Sequence, residues 1–454
     1  MKSRTLLALP LAILFTVLFP GCTPETEGEI NRQQLADEVK AEFIHSWNGY
    51  KTYAWGHDRL LPISKTYSDW YGDPLHLSMI EAFDTMILMG LDEEADSVHQ
   101  FLVENLSFDK DLYVKNFEIT IRVLGGLLSG YQMTGDARLL ELAEDLCKRL
   151  LPAFKSPTGL PYVFVNLRTG AVRGNISNPG EIGTLLIEYG TLSKLTGNPL
   201  YYNTAKDALI KVYEKRSPLD LVGEALDVET GEWTNTESHL SACIDSYYEY
   251  LYKCAVLFDD AECMEMWETS VAAVHRYLAD TTETGLWYGH ADMNTGKRTR
   301  RWFGALDAFF PAVLASSGQL DPAAKLQASC MTMWNRHGIE PEQFDYEKME
   351  PAGIRFFLNP EIMESAYFLY KITGEEQYLR MGKTMFDSLK AYCRYDVGYT
   401  ELADVRTKER FDRMDGYFLA ETLKYLYLLF APPETLDFSS VVFNTEAHPI
   451  RRTW

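Results

Sequence analysis

Beyond about residue 30 the apolar side chains recur three and four positions apart, the period of helices that each bury one face. One phrase returns where such helices end: Thr134-Gly135-Asp136, Thr196-Gly197-Asn198 and Thr373-Gly374-Glu375, with Asp259-Asp260 as a fourth of the same shape. Each reads as a helix end, a tight Gly or Asp turn that also offers a cap, and a new amphipathic helix. Units of this kind at intervals of tens of residues predict stacked α-hairpins. Their irregular spacing argues against a thin solenoid. With a last helix over 416–430, the expected closure is a ring: an all-α (α/α) toroid with inner and outer helix layers and minor β-hairpins.

The same pattern places acids. Glu118, Glu181, Asp245 and Glu361 each stand at the start of the first helix of a hairpin, one helix length before its turn. A single acid there suits the helix dipole and the unpaired amides of the first turn. Four of them in one ring, among aromatic neighbours, predict a carboxylate-lined pocket at one end of the pore. Two carboxylates about 6.5–9.5 Å apart across a sugar are what an inverting glycosidase needs. The C-terminal stretch Val441-Val442-Phe443-Asn444-Thr445-Glu446-Ala447-His448-Pro449 is unusual, because three strand-like apolar residues run into a polar group at a terminus, where order is normally lost.

Composition narrows the class. The 454 residues are 46% hydrophobic and 13% aromatic, as expected of a large globular core. With 43 basic against 65 acidic residues the formal charge is −22, which disfavours nucleic acid and anionic membrane surfaces as partners. Lys2 and Arg4 precede an apolar run ending in Phe19-Pro20-Gly21-Cys22, a pattern similar to a bacterial lipoprotein signal. The expected organisation is a signal over 1–22 ending at Cys22, a tether over 23–30 and one catalytic domain over 31–454. Export to a bacterial periplasm or cell envelope follows, with any membrane contact made through a lipid on Cys22. Cys147, Cys243, Cys254, Cys263, Cys330 and Cys393 form no C-x-x-C pair, so their spacing fixes no disulfide. The nine histidines show no zinc spacing.

Seven motifs in order then resemble the class I α-mannosidases, glycoside hydrolase family 47. They are the stretches 53–62 (YAWGHDRLLP), 81–91 (EAFDTMILMGL), 117–131 (FEITIRVLGGLLSGY), 245–253 (DSYYEYLYK), 359–374 (NPEIMESAYFLYKITG), 414–430 (MDGYFLAETLKYLYLLF) and 443–449 (FNTEAHP). The resemblance covers about 43–449 and implies an (α/α)7 barrel, one Ca²⁺ at its base, a monomer, and inverting removal of terminal α-1,2-linked mannose from oligomannose or mannan-type glycans. It implies Glu118 as general acid through a water, Glu361 as general base, Asp245 as a third carboxylate of contested role, and Thr445 as calcium ligand. It further implies Arg122, Glu181, Glu364, Glu421 and Glu446 around sugar and ion, and Phe418 stacked on the mannose. A mannoside-binding module with little turnover is the alternative. Asn359 and Cys243 stand where the endoplasmic-reticulum type has Arg, and Arg59 replaces a Glu. The stretch 302–311 lacks the Cys of the eukaryotic disulfide, and several stretches lean toward the branch associated with glycoprotein degradation. Thr445→Ala, or a chain ending at Phe443, is expected to lose calcium-dependent turnover while most of the helical ring stays folded.

Overall fold

The computed structural model describes residues 30–454; the signal-like segment, Cys22 and nearly all of the tether lie outside them. Residues Arg32–Trp454 form one compact unit. Fourteen helices build it: α1 Arg32–Tyr53, α2 Leu77–Leu88, α3 Asp92–Asn105, α4 116–134, α5 Ala137–Leu150, α6 Leu186–Thr196, α7 Pro199–Glu214, α8 Asp245–Phe258, α9 Ala261–Tyr277, α10 306–316, α11 Leu320–His337, α12 Glu361–Thr373, α13 Glu376–Tyr392 and α14 418–430. They pack as seven pairs, α2 with α3 through α12 with α13, and α14 returns to α1 to close the circle. The inner layer runs α2, α4, α6, α8, α10, α12, α14 and back to α2, each packed on the next. This is the (α/α)7 barrel. None of the helices described is long and apolar enough to cross a membrane.

The recurrent turns close as their residues dictate. Gly135, Gly197, Gly374 and Asp259 end α4, α6, α12 and α8 in the left-handed region, at φ 74°, 73°, 72° and 52°. Asp136, Asn198 and Asp260 then cap α5, α7 and α9 by accepting from the amides of Arg138, Leu200 and Cys263.

Short antiparallel strands feed the inner helices. Tyr113–Lys115 runs into α4, Ile176–Ser177 into the turn Pro179–Gly183 ahead of α6, and Glu237–Ser238 precedes α8. They gather the helix starts at one end of the barrel. The six cysteines of the described residues are free thiols, five buried and Cys243 half-exposed.

Two inner helices carry one π-helical turn each, at Thr120–Leu124 in α4 and Phe418–Thr422 in α14. Such turns insert an extra residue and rotate the helix face that follows, a device concentrated at functional sites. Arg122 and Glu421 sit in these two turns.

The C-terminal segment is a hairpin pushed into the ring. Val441–Phe443 pairs antiparallel with Pro449–Arg451, and Thr445, Glu446 and Ala447 form its tip. Asn444 donates to the Ile121 carbonyl (2.9 Å) of α4 and to Glu188 (2.8 Å) of α6. Its own side-chain oxygen accepts from the amides of Glu446 and His448, which fixes the tip. The Thr445 amide points at the Tyr250 hydroxyl (3.4 Å) of α8. His448 and Lys424 of α14 both meet the fully buried Asp84 of α2 at 2.7 Å, and Phe443 packs on Tyr367 and Phe368 of α12. Lys424 also donates to the Ala447 carbonyl at 2.7 Å, so six of the seven inner helices touch the tail and α10 makes none of these contacts. A Cβ on Gly125 would lie 2.6 Å from Asn444, and one on Gly126 would lie 3.2 Å from His448. The Gly125-Gly126 pair is what lets the hairpin approach α4.

Candidate active site

At the mouth end the ring opens into a cavity of about 460 Å³, its floor formed by the tip of the tail hairpin. Glu118, Arg122, Glu181, Asp245, Glu361, Glu421, Thr445 and Glu446 all line it. Two expected residues do not. Glu364 is one turn further along α12 than Glu361, turned toward the Tyr425 hydroxyl (3.3 Å) and Lys253 (3.5 Å) behind the wall. Phe418 is fully buried against Tyr399, with ring centroids 4.7 Å apart. The aromatic ring that α14 presents to the cavity is Tyr417, on the preceding residue.

Arg122 organises one wall. Its Nε donates to Glu118 at 3.0 Å, and one terminal nitrogen reaches Glu446 at 2.7 Å and Glu81 at 3.4 Å. Its guanidinium lies 4.9 Å from the Trp70 ring and 5.6 Å from the Tyr417 ring, so the cation is clamped between aromatic faces. Lys115, the last strand residue before α4, adds a second cation 3.9 Å from the other Glu118 oxygen and 2.6 Å from Glu181. Glu118 therefore faces a cation on each side.

Asp245 differs. It opens α8 with no ion-pair partner among the described residues, and burial pushes its carboxyl up to about 7, against a hydrogen bond from the Ser246 amide. Glu361 opens α12; burial raises it well above the usual carboxylate range, and one of its oxygens has no hydrogen-bond partner. Asp307, which receives the Ser241 hydroxyl and the Gly304 amide, is held at about 6 by burial.

The floor brings the carboxyls of Glu421 and Glu446 together. Burial raises both, and each then raises or hydrogen-bonds the other, as two acids do when they share a proton. With Thr445 beside them the donors are all oxygen, the set suited to a hard cation. Among the described residues no three His, Cys, Asp or Glu side chains converge as a ready ligand set, so an ion here would rest on Thr445 with water-mediated help from the acids.

Sequence periodicity did not reveal Trp70, Lys115, Asp307, Glu342, Phe357, Arg413 or Tyr417, all of which line the cavity. Most come from short strands and loops, which have no helical period. Two carried a readable signal: Lys115, directly ahead of the acid-bearing helix, and Asp307, an acid in the first turn of α10.

The profile of glycosyl hydrolase family 47 matches residues 42–452. Alpha-mannosidase I MNS5 of Arabidopsis thaliana is 34% identical over 99% of this chain and 82% of its own length. The mouse ER degradation-enhancing alpha-mannosidase-like protein 2 is likewise 34% identical, over 99% of this chain and 83% of its own. Among solved structures, an alpha-1,2-mannosidase from Trichoderma reesei superposes with a TM-score of 0.86 at 27% identity, over 93% of this chain and all of that one. With its fold, its acid-lined cavity and nearly its whole length matched, the chain belongs to glycosyl hydrolase family 47, the class I α-mannosidases, and is a glycoside hydrolase.

Proposed function

We propose that this hydrolase is a Ca²⁺-dependent, inverting exo-α-1,2-mannosidase that removes terminal mannose from oligomannose or mannan-type glycans. The observation that carries this reading is the convergence of Glu118, Asp245 and Glu361 from three helix starts on one cavity whose floor is Thr445 and Glu446. A cavity with a closed floor admits the end of a chain and suits an exo-acting enzyme. The apolar wall of Trp70 and Tyr417 supports recognition of the sugar's C–H faces. The activities for which the relatives are named agree with the linkage proposed.

Within this reading the residues divide the work by environment. Glu361, with one oxygen unengaged, takes the proton of the attacking water in its ionised form, which burial makes the stronger base. Asp245, poised at about 7 without a cationic partner, supplies the proton to the leaving oxygen. Glu118, between Arg122 and Lys115, orients the water that passes that proton and offsets charge developing on the sugar ring. Arg122 fixes Glu118 and Glu446 in one geometry. Thr445 would hold the calcium ion through its carbonyl and hydroxyl oxygens, with Glu421 and Glu446 holding its waters. The ion, when bound, would supply a hard site for two vicinal sugar hydroxyls and favour a flattened ring. The basic and apolar N-terminal run with Gly21-Cys22 supports export with a lipid anchor.

The test is incubation with α-1,2-mannobiose and its 1,3 and 1,6 isomers, with and without EDTA, followed by proton NMR. Release of β-mannose first, from the 1,2 isomer, abolished by EDTA and restored by Ca²⁺, is expected. α-Mannose as first product would exclude inversion. Glycan binding without release would favour a binding module.

A further inference from the structure

The cavity wall made by Phe357 and Arg413 does not end at the mouth. Segment 354–356 is tied to the strand Glu401–Asp404 through Phe356 and Leu402, whose backbones exchange hydrogen bonds at 3.0 and 2.9 Å. That strand pairs with Glu409–Phe411 in a register that sets Glu401 opposite Phe411. Between the two segments lies Arg355, its guanidinium 4.5 Å from the Phe357 ring and 4.4 Å from the Phe411 ring. Glu401 is fully buried and accepts from Arg355 at 3.0 Å, with Arg413 at 3.2 Å on its other oxygen. The buried carboxylate holds the guanidinium between the two rings. Phe357, Arg355 and Phe411 form a fixed ladder of ring, cation and ring that begins in the cavity and ends at Phe411, 41% exposed.

A lone exposed ring needs no explanation. This one is continuous with the cavity and stacked on a cation anchored by a buried carboxylate. At about 460 Å³ the cavity is at the small end of ligand sites, which run from about 300 to 1,000 Å³. It takes the terminal sugar and its neighbour, and later sugars of a longer chain must lie on the rim. A pyranose presents C–H faces that pack on aromatic rings and hydroxyls that accept from guanidinium N–H groups. A ladder alternating those two surfaces matches it. A second protein chain would need an interface of about 800 Å² on each partner, far more than three side chains provide.

We propose that Phe357, Arg355 and Phe411 form an outer subsite that binds the sugars two or more positions inward from the mannose being released. The assignment rests on the mannosidase reading above and adds a preference for chain length. Phe411 carries the outermost contact, so its removal weakens long glycans and spares short ones.

The test is calorimetric binding of linear α-1,2-mannobiose and α-1,2-mannotetraose to Glu361→Gln protein, with and without Phe411→Ala. The ratio of tetraose to biose affinity is expected to fall about tenfold when Phe411→Ala is added. Phe411→Trp, which keeps a ring on the ladder, should retain the ratio, as should Leu200→Ala, which removes an equally exposed side chain from an outer helix. Equal weakening of both ligands, no weakening of either, or no binding at all overturns the subsite. A dimer lost in Phe411→Ala with glycan affinity intact overturns it in favour of a second copy. Length-dependent binding by a chain whose wild type releases no mannose leaves the subsite standing and sinks the hydrolase.

Discussion

At the scale of single residues, the two carboxylates on the leaving-group side, Asp245 and Glu118, are told apart by their neighbours. Asp245 has burial without a cation and is held at about 7; Glu118 has Arg122 at 3.0 Å and Lys115 at 3.9 Å. A donor works only while protonated. A folded-state value raised to about 7 therefore gives activity below that pH and loss as pH rises through it. Asp245→Asn should lower kcat/KM by about a hundredfold or more and erase that basic limb, whereas Glu118→Gln should lower the rate and keep it. A limb that survives in Asp245→Asn would sink the assignment. Lys115→Met removes one cation from Glu118 and the whole ion pair of Glu181. The acid-bearing helix starts were legible because apolar periodicity locates helices and turns, and an acid at a first turn is visible by position. The motif places Phe418 at the sugar, but Tyr417 and Phe418 are adjacent aromatics that a motif alone does not tell apart; the structure buries Phe418 against Tyr399 and turns Tyr417 to the cavity. The resemblance places Glu364 around the sugar and ion. Three positions along a helix is near one turn, yet here it faces Lys253 and Tyr425 behind the wall.

At the scale of elements, two glycines do different jobs inside and at the end of α4. Gly135 ends the helix at φ 74°, and nothing lies within 4 Å of where its Cβ would be. Gly125 has ordinary helical geometry, yet a Cβ there would meet Asn444 at 2.6 Å. Asn444 cannot turn aside without losing its bonds to Ile121, Glu188 and the tip amides. Gly135→Ala should cost stability alone, about 1 kcal/mol for a left-handed non-glycine residue. Gly125→Ala should cost about 1–3 kcal/mol by overpacking and also displace the tip that carries Thr445. The discriminating measurement is the Ca²⁺ concentration for half-maximal activity, raised in Gly125→Ala and unchanged in Gly135→Ala. Equal values in both variants would mean that the hairpin tip does not position the ion. Sequence pattern gave the ring and its turns readily, since both follow from period and capping. The glycine pair looked like a weak helix segment until its neighbour across the ring, some three hundred residues later in the chain, was in place.

The whole molecule is a ring whose axis is filled by its own last residues, and that changes what the tail does. Serving Thr445 alone, it could be removed with the ring intact. The structure instead ties it to six inner helices and makes it supply one of the three members of a buried polar cluster. Asp84 and Lys424 are both wholly inaccessible, and His448 completes the cluster from the tail. Against the upward pull of burial, Lys424 and His448 together hold the Asp84 carboxyl down at about 2. Losing His448 leaves Asp84 paired with Lys424 but short of one hydrogen bond in a buried site, at a cost of about 1–3 kcal/mol. A chain ending at Phe443 loses His448, the Asn444 bonds to α4 and α6 and the strand Pro449–Arg451 in one step, so it should be destabilised as well as inactive. Thr445→Ala removes a hydroxyl and keeps all of these contacts. It should unfold at the wild-type urea midpoint while losing Ca²⁺-dependent turnover by about a hundredfold. The two variants separate a tail that holds an ion from a tail that also locks the barrel. If the truncated chain unfolds at the wild-type midpoint, the lock is wrong and the tail acts through Thr445 alone.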